Sequence, residues 1–212
     1  MKNITLLSVL AFIIATVAFT SCNTDGESYS LNLPDKQTAK SMLAKVAGQH
    51  DCGILFPGST ANKIEKDSVA TTFYVNEKDS SFTITDFPVK NLAKYMNDSI
   101  LIKSVEALDN QTLKGKLLPY SEDGMMFGSL TNTITFKNLD GEETAIAFYG
   151  GYQNYSLAGY ATSTVTGKQS FLLYMTPGAV YVNGTLKSSA LKVMSYTQNI
   201  AVPYTIKLQY NL

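Results

Sequence analysis

Apolar positions recur along this chain with different periods in different stretches, and each period predicts a different element. Residues 4–19 form an uncharged run of apolar and small side chains behind the basic start Met1-Lys2-Asn3. The run is shorter than the roughly 20 residues that span a bilayer and closes on the small pair Thr20-Ser21, the layout of a signal peptide over residues 1–21. After a polar stretch to residue 33, Pro34-Asp35 opens a pattern in which Ala39, Met42, Leu43, Val46 and Ala47 recur three and four apart. That spacing predicts a helix near 35–48, ended by Gly48. Val89, Leu92, Ala93 and Met96, behind Asp86-Phe87-Pro88, predict a second helix near 88–97. Leu101, Val105 and Leu108 add another helical turn or two.

Elsewhere the period is two. Val69, Thr71, Phe73 and Val75 alternate with Ser68, Ala70, Thr72 and Tyr74, and after a turn at 76–79 the alternation returns in Phe82 and Ile84, so residues 67–86 read as a hairpin. A short apolar strand precedes it at 53–56. Further strands are predicted at 114–120, 131–137, 142–149, 170–175, 179–182 and 204–210, with another at 191–196. Turns separate several of them, at Asn138-Leu139-Asp140-Gly141, Pro177-Gly178 and Asn183-Gly184. On the last strand Tyr204, Ile206, Leu208 and Tyr210 share one face and Thr205, Lys207 and Gln209 the other, which predicts one buried face and one wet face. Many short strands about ten residues apart, with no composition break, make residues 34–212 a single mainly β domain: an antiparallel β-barrel with an N-terminal helix, or alternatively a β-sandwich.

Composition narrows the function classes. The 212 residues carry 17 basic and 17 acidic side chains, with no Arg among the basic ones, so neither a field of one sign nor a bidentate cation is available to gather phosphates. Nucleic acid is not an expected partner. One His, two Cys and no Trp exclude multi-His metal centres and disulfide scaffolds, and no motif calls for a cofactor.

Cys22 follows Thr20-Ser21 directly and leads into Asn23-Thr24-Asp25-Gly26-Glu27. This resembles a bacterial lipobox, with Phe19 in the place where Leu is commonest. The resemblance implies acylation of Cys22, a lipidated tether over 22–33, and anchoring at the outer membrane on its periplasmic or cell-surface face. Together with the order of helix, glycine-led strand, hairpin and Asp86-Phe87-Pro88-Val89-Lys90-Asn91-Leu92-Ala93, it resembles exported Bacteroidota lipoproteins of unknown function with a lipocalin-like (calycin-like) barrel. The Gly-x-Trp of true lipocalins is replaced here by Gly53-Ile54-Leu55. Asp67-Ser68-Val69 and Asp98-Ser99-Ile100 resemble the O-glycosylation signal of exported Bacteroidota proteins, which implies modification at Ser68 and Ser99.

Candidate chemistry is sparse. His50, Asp51 and Cys52 are the one place where imidazole, carboxylate and thiol lie close in sequence; the two readings are a Cys nucleophile beside a base, or a helix-end His with a buried Cys. No Gly-x-Ser-x-Gly elbow occurs, and the acids Glu122, Asp123, Asp140, Glu142 and Glu143 sit at expected turns without a calcium-loop pattern. Residues 149–160 hold Tyr149, Tyr152, Tyr155 and Tyr160 among Gly, Asn and Ser, a composition suited to recognition surfaces, and these tyrosines are the expected rim of an apolar pocket at one barrel mouth. The expectation is a non-enzymatic binding module for a small amphipathic molecule or glycan, with a membrane contact through its lipid anchor. The alternatives are a secreted hydrolase using acidic residues and a fimbrillin-like structural subunit.

Overall fold

The computed structural model describes residues 33–57, 67–121, 124–149, 156–162, 167–197 and 200–212. Asp35 caps the first helix, α1 (Lys36–Val46), by accepting the Thr38 N–H at 2.7 Å. Ala47 is extended, and Gly48, at φ 97°, turns the chain directly into β1 (Gly48–Phe56). The hairpin predicted at 67–86 is β2 (Asp67–Asn76) and β3 (Ser81–Phe87).

The helix expected near 88–97 is a 3-10 helix, Val89–Tyr95. Its largest buried side chains, Val89, Leu92 and Tyr95, recur every third residue, the 3-10 period, and line one ridge. The spacing of Leu92, Ala93 and Met96 matches an α-helix equally well on paper, and tertiary packing selects between the two. Asp98 then caps α2 (Ser99–Glu106), accepting the N–H groups of Ile100 and Leu101 at 2.8 and 3.0 Å.

The remaining strands are β4 (Gln111–Pro119), β5 (Met125–Leu130), β6 (Ile134–Lys137), β7 (Glu143–Tyr149), β8 (Ser156–Thr162), β9 (Gln169–Val182), β10 (Thr185–Leu186), β11 (Val193–Thr197), β12 (Ile200–Pro203) and β13 (Ile206–Asn211). Strands β13-β1-β2-β3-β4-β5-β8-β9 pair in that order, and β9 pairs back onto β13, closing an antiparallel eight-stranded barrel of lipocalin-like architecture. No sandwich forms.

One expected turn is absent. Pro177-Gly178 does not separate two strands; it lies inside β9, whose residues 170–175 pair with β13 and whose residues from Thr176 to Val182 pair with β7. Pro177 stands opposite Phe148, and Gly178 is the extra residue of a bulge before Ala179 pairs with Ala147. The strand therefore changes partners at its proline and carries a side ribbon, β6-β7-β9-β10, out of the barrel. The ribbon ends in the Asn183-Gly184 turn, where both residues have positive φ (49° and 74°), as a two-residue hairpin turn demands. A separate ladder joins β11 to β12.

Alternation sends large side chains inward from β1, β2, β3, β4, β9 and β13. Ile54, Phe56, Phe73, Phe82, Ile84, Leu113, Phe171, Leu173, Ile206 and Leu208 belong to one cluster with Tyr210, each nearly or wholly removed from water. Phe73 lies 5.4 Å from both Phe82 and Phe171 and 5.7 Å from Tyr210, so aromatic rings cross the centre of the barrel. Outward positions such as Thr72, Thr83, Lys114, Lys116 and Gln209 are polar, which makes this a filled barrel with a wet outer face.

Both mouths are closed as well. Helix α1 crosses the end where β1 starts and β13 finishes: it buries Met42, Leu43 and Val46, meets β4, and receives a 3.2 Å hydrogen bond from the Tyr210 hydroxyl at the Val46 carbonyl. At the other end the 3-10 helix is driven in. The Tyr95 hydroxyl donates to the Pro57 carbonyl at 2.8 Å, its ring stacks 4.7 Å from Tyr204, and Phe87 bridges Phe56 and Phe148 at 6.0 and 5.8 Å. No helix among the described residues is long and apolar enough to cross a membrane.

Candidate functional site

The residues singled out for thiol chemistry are held in structural roles. His50 Nε2 lies 3.1 Å from the carbonyls of both Val46 and Ala47, the last turn of α1, and its ring stacks on Tyr210 at 4.1 Å. A ring nitrogen placed between two carbonyl oxygens carries its proton there and donates. His50 is thus a helix-end cap. Cys52, two residues on and buried, donates its thiol to the Thr71 carbonyl at 3.4 Å. Burial, with a smaller effect from the neighbouring Asp51 carboxylate, pushes the thiol up to about 12, away from the thiolate a nucleophile needs. Burial also raises the Tyr210 phenol above its ordinary value, with Cys52 adding to the effect.

Of the tyrosines in 149–160, Tyr149 and Tyr160 fall on strands within the described residues, at separate positions along β9. Tyr149 ends β7 opposite Thr176, while Tyr160 sits on β8 opposite Phe171, five residues back along β9 and roughly 17 Å away at about 3.3 Å per residue. Tyr152 and Tyr155 lie outside the described residues. Tyr160 works as a clamp: its ring lies against Gly124, where any Cβ would overlap it, and the Lys45 ammonium of α1 stands 4.1 Å above its centroid. Gly124 must be glycine on conformational grounds too, at φ 93°. Ser68 lies exposed on the outer face of β2, and Ser99 is the exposed first residue of α2. Cys22 lies outside the described residues.

A concave site forms outside the barrel, where elements distant in sequence meet. A cleft of about 550 Å³, within the size range of small-molecule sites, opens between the start of α2, the β6–β7 turn and the chain after β10. Its floor is apolar, from Leu101, Val182 and Ala190, all buried. Its walls carry Asn97, Asp98, Asp140, Glu142, Lys187 and Ser189. Two smaller hollows accompany it, one of about 420 Å³ over the β1–β13 seam beside Cys52, the other of about 450 Å³ beside Lys90, Lys94, Lys192 and Glu106.

Hydrogen bonds make the cleft walls rigid. Asn138, itself buried, accepts the N–H groups of Asp140 and Glu142 at 3.0 and 2.9 Å and donates to Glu142 Oε2 at 2.9 Å. Asn183 donates to the other Glu142 oxygen at 3.2 Å, tying the turn to the β9–β10 hairpin. Ser104 of α2 accepts the Leu139 N–H at 3.0 Å. Asn97 donates to the carbonyls of Ser189 and Leu191 at 2.9 and 3.3 Å, fixing the third wall.

A family model described as Domain of unknown function (DUF4840) matches residues 45–182, well over half of the chain. The chain belongs to this family. The DUF4840 match runs from the last turn of α1 to the end of β9 and takes in two walls of the cleft. Lys187, Ser189 and the barrel-closing strand β13 lie beyond it. No curated protein and no solved structure matches the chain.

The turn at 138–141 is legible in Asn138-Leu139-Asp140-Gly141, where the acids read as solvated turn residues. The signal that Asp98 caps a helix was present in Asp98-Ser99. Nothing in the sequence places that cap against Asp140, 42 positions later. Among the described residues, no group of three or more His, Cys, Asp and Glu side chains is placed to hold a metal ion.

Proposed function

We propose that this chain is an envelope lipoprotein, exported by residues 1–21, acylated at Cys22 and held at the outer membrane by the tether 22–33, whose barrel is a non-enzymatic module binding a small amphipathic molecule or glycan on its outer surface. The observation that carries the reading is the filling of the barrel. With aromatic rings across its centre and a helix at each mouth, a ligand of this fold is met outside, and the amphipathic cleft beside α2 is the largest of the three hollows described. His50 and Cys52, occupied as a cap and a buried thiol, favour binding over catalysis. The lipobox-like residues around Cys22 and the resemblance to exported Bacteroidota lipoproteins support the location.

Purification of the tagged full chain from its native membrane, followed by mass spectrometry of what is released on denaturation, tests the reading. The expected result is one low-mass or glycan species in near-equimolar amount. An empty protein, or one found locked into polymers of itself, overturns it and favours the structural-subunit alternative.

A further inference from the structure

The cleft has a distinct donor and acceptor balance. Its internal network leaves several groups of the lining without an internal partner. Asp98 uses Oδ1 for its two helix N–H groups and keeps Oδ2 free; Asn97 uses its amide nitrogen and keeps its oxygen. The Asp140 carboxylate, the Ser189 hydroxyl and the Lys187 ammonium have no partner among the described residues. The two salt bridges seen there are Lys116–Asp79 and Lys137–Glu143, neither in the cleft. The site thus offers three acceptor groups, one cationic donor and one hydroxyl that serves either way.

A matching ligand brings many donors, a few acceptors and an apolar face for the floor of Leu101, Val182 and Ala190. A metal ion does not match, because no three His, Cys, Asp or Glu side chains among the described residues are placed to hold one and Lys187 shares the space. An acyl chain does not match, because burying the carboxylates under it would strip their water without replacing it. A sugar ring does. Its hydroxyls donate to carboxylates in charge-assisted bonds, its ring oxygen and hydroxyls accept from Lys187, and its C–H face lies on the aliphatic floor.

We infer that this cleft is a carbohydrate site, in which Asp98, Asp140 and Asn97 accept hydroxyl protons and Lys187 donates to the opposite edge of a pyranose. The inference rests on the proposed binding role and names its ligand class. The site is preformed, because Asn138, Ser104 and Asn183 hold its walls before any ligand arrives.

The test is an amide-resolved NMR titration of the full chain in detergent with methyl α-mannoside, methyl β-galactoside, N-acetylglucosamine and chitotriose, with spermidine and calcium chloride as cationic controls. The expected result is saturable shifts for at least one sugar, confined to residues 97–101, 138–142 and 187–190. Asp140→Asn and Lys187→Met should each weaken that sugar's binding at least tenfold with an unchanged unfolding midpoint, since both side chains are free of internal bonds. Shifts from spermidine or calcium alone, from no sugar at all, or from sugar at residues away from the cleft overturn the inference. A ligand recovered from the native membrane that leaves the cleft amides unshifted overturns this site while sparing the wider binding role; an empty native protein removes that role as well.

Discussion

Cys52 shows how a residue's neighbours decide its chemistry. Spacing of two on one strand sends His50 and Cys52 toward the same side, which is what made them a candidate pair. The imidazole instead turns back to the end of α1 and the thiol meets a carbonyl, so a geometry that spacing permits is not the one that packing selects. The thiol should therefore resist iodoacetamide at pH 8 in the native protein and react readily in urea; fast labelling of the folded chain would contradict its burial. The same burial has a pH signature. With the thiol raised from 9.0 to about 12, the folded state holds its proton more tightly than the unfolded state does. The stability this contributes is complete below pH 9 and is lost as pH rises from 9 toward 12. Urea titrations from pH 7 to 11 should show wild type losing more stability above pH 9 than Cys52→Ala does. Gly115 is a second case. It faces inward on β4, and an added Cβ would overlap the Phe82 ring and stand 2.5 Å from the Ser129 carbonyl oxygen. Gly115→Ala should cost about 1–3 kcal/mol in chemical denaturation, as overpacking does.

At the scale of elements, sequence pattern served best where one face is wet. The alternation in β2, β3 and β13 placed Phe73, Phe82, Leu208 and their companions on the buried side, as the structure does. The helix caps Asp35 and Asp98 stand directly before the helices they start. Pattern misled where two helical periods fit the same residues or where a strand changes partners. The apolar residues of Val89–Tyr95 fit a period of three and one of 3.6 equally well, so spacing alone does not choose the 3-10 helix, and β9 runs straight through a proline because it exchanges β13 for β7 there. The β6–β7 turn invites a direct test. Asn138 makes three side-chain hydrogen bonds from a buried position, and Asn138→Ala would leave the Asp140 and Glu142 N–H groups unsatisfied. A loss of about 2 kcal/mol is expected, with faster hydrogen exchange at those two amides; unchanged exchange would show that the turn is held by its neighbours.

For the molecule as a whole, the plugs matter more than the barrel. Helix α1 is fastened by three side chains, by the Tyr210 and His50 bonds to its last carbonyls and by Lys45 over Tyr160. Leu43→Asp should loosen it, lower the unfolding midpoint and raise binding of a hydrophobic dye, whereas the native chain should bind little dye; strong dye binding by the native chain would show an open mouth. At the membrane, Cys22→Ala should release the chain in soluble form, and continued partition into the detergent phase would remove the proposed anchor. Sequence by itself determined the mainly β class, the alternation that sets the buried face of β2, β3 and β13, the start of α1 at Pro34-Asp35, and the turn at Asn183-Gly184. These depend on contacts within a few residues, where side-chain period and backbone preference act directly. Only the tertiary structure decided that β9 closes the barrel and then leaves it, that α1 and the 3-10 helix fill the two mouths, and that Asp98, Asp140 and Lys187 share one cleft. Those outcomes join segments far apart in the chain, and the free energy that brings them together comes from burying a common core, which no local pattern records.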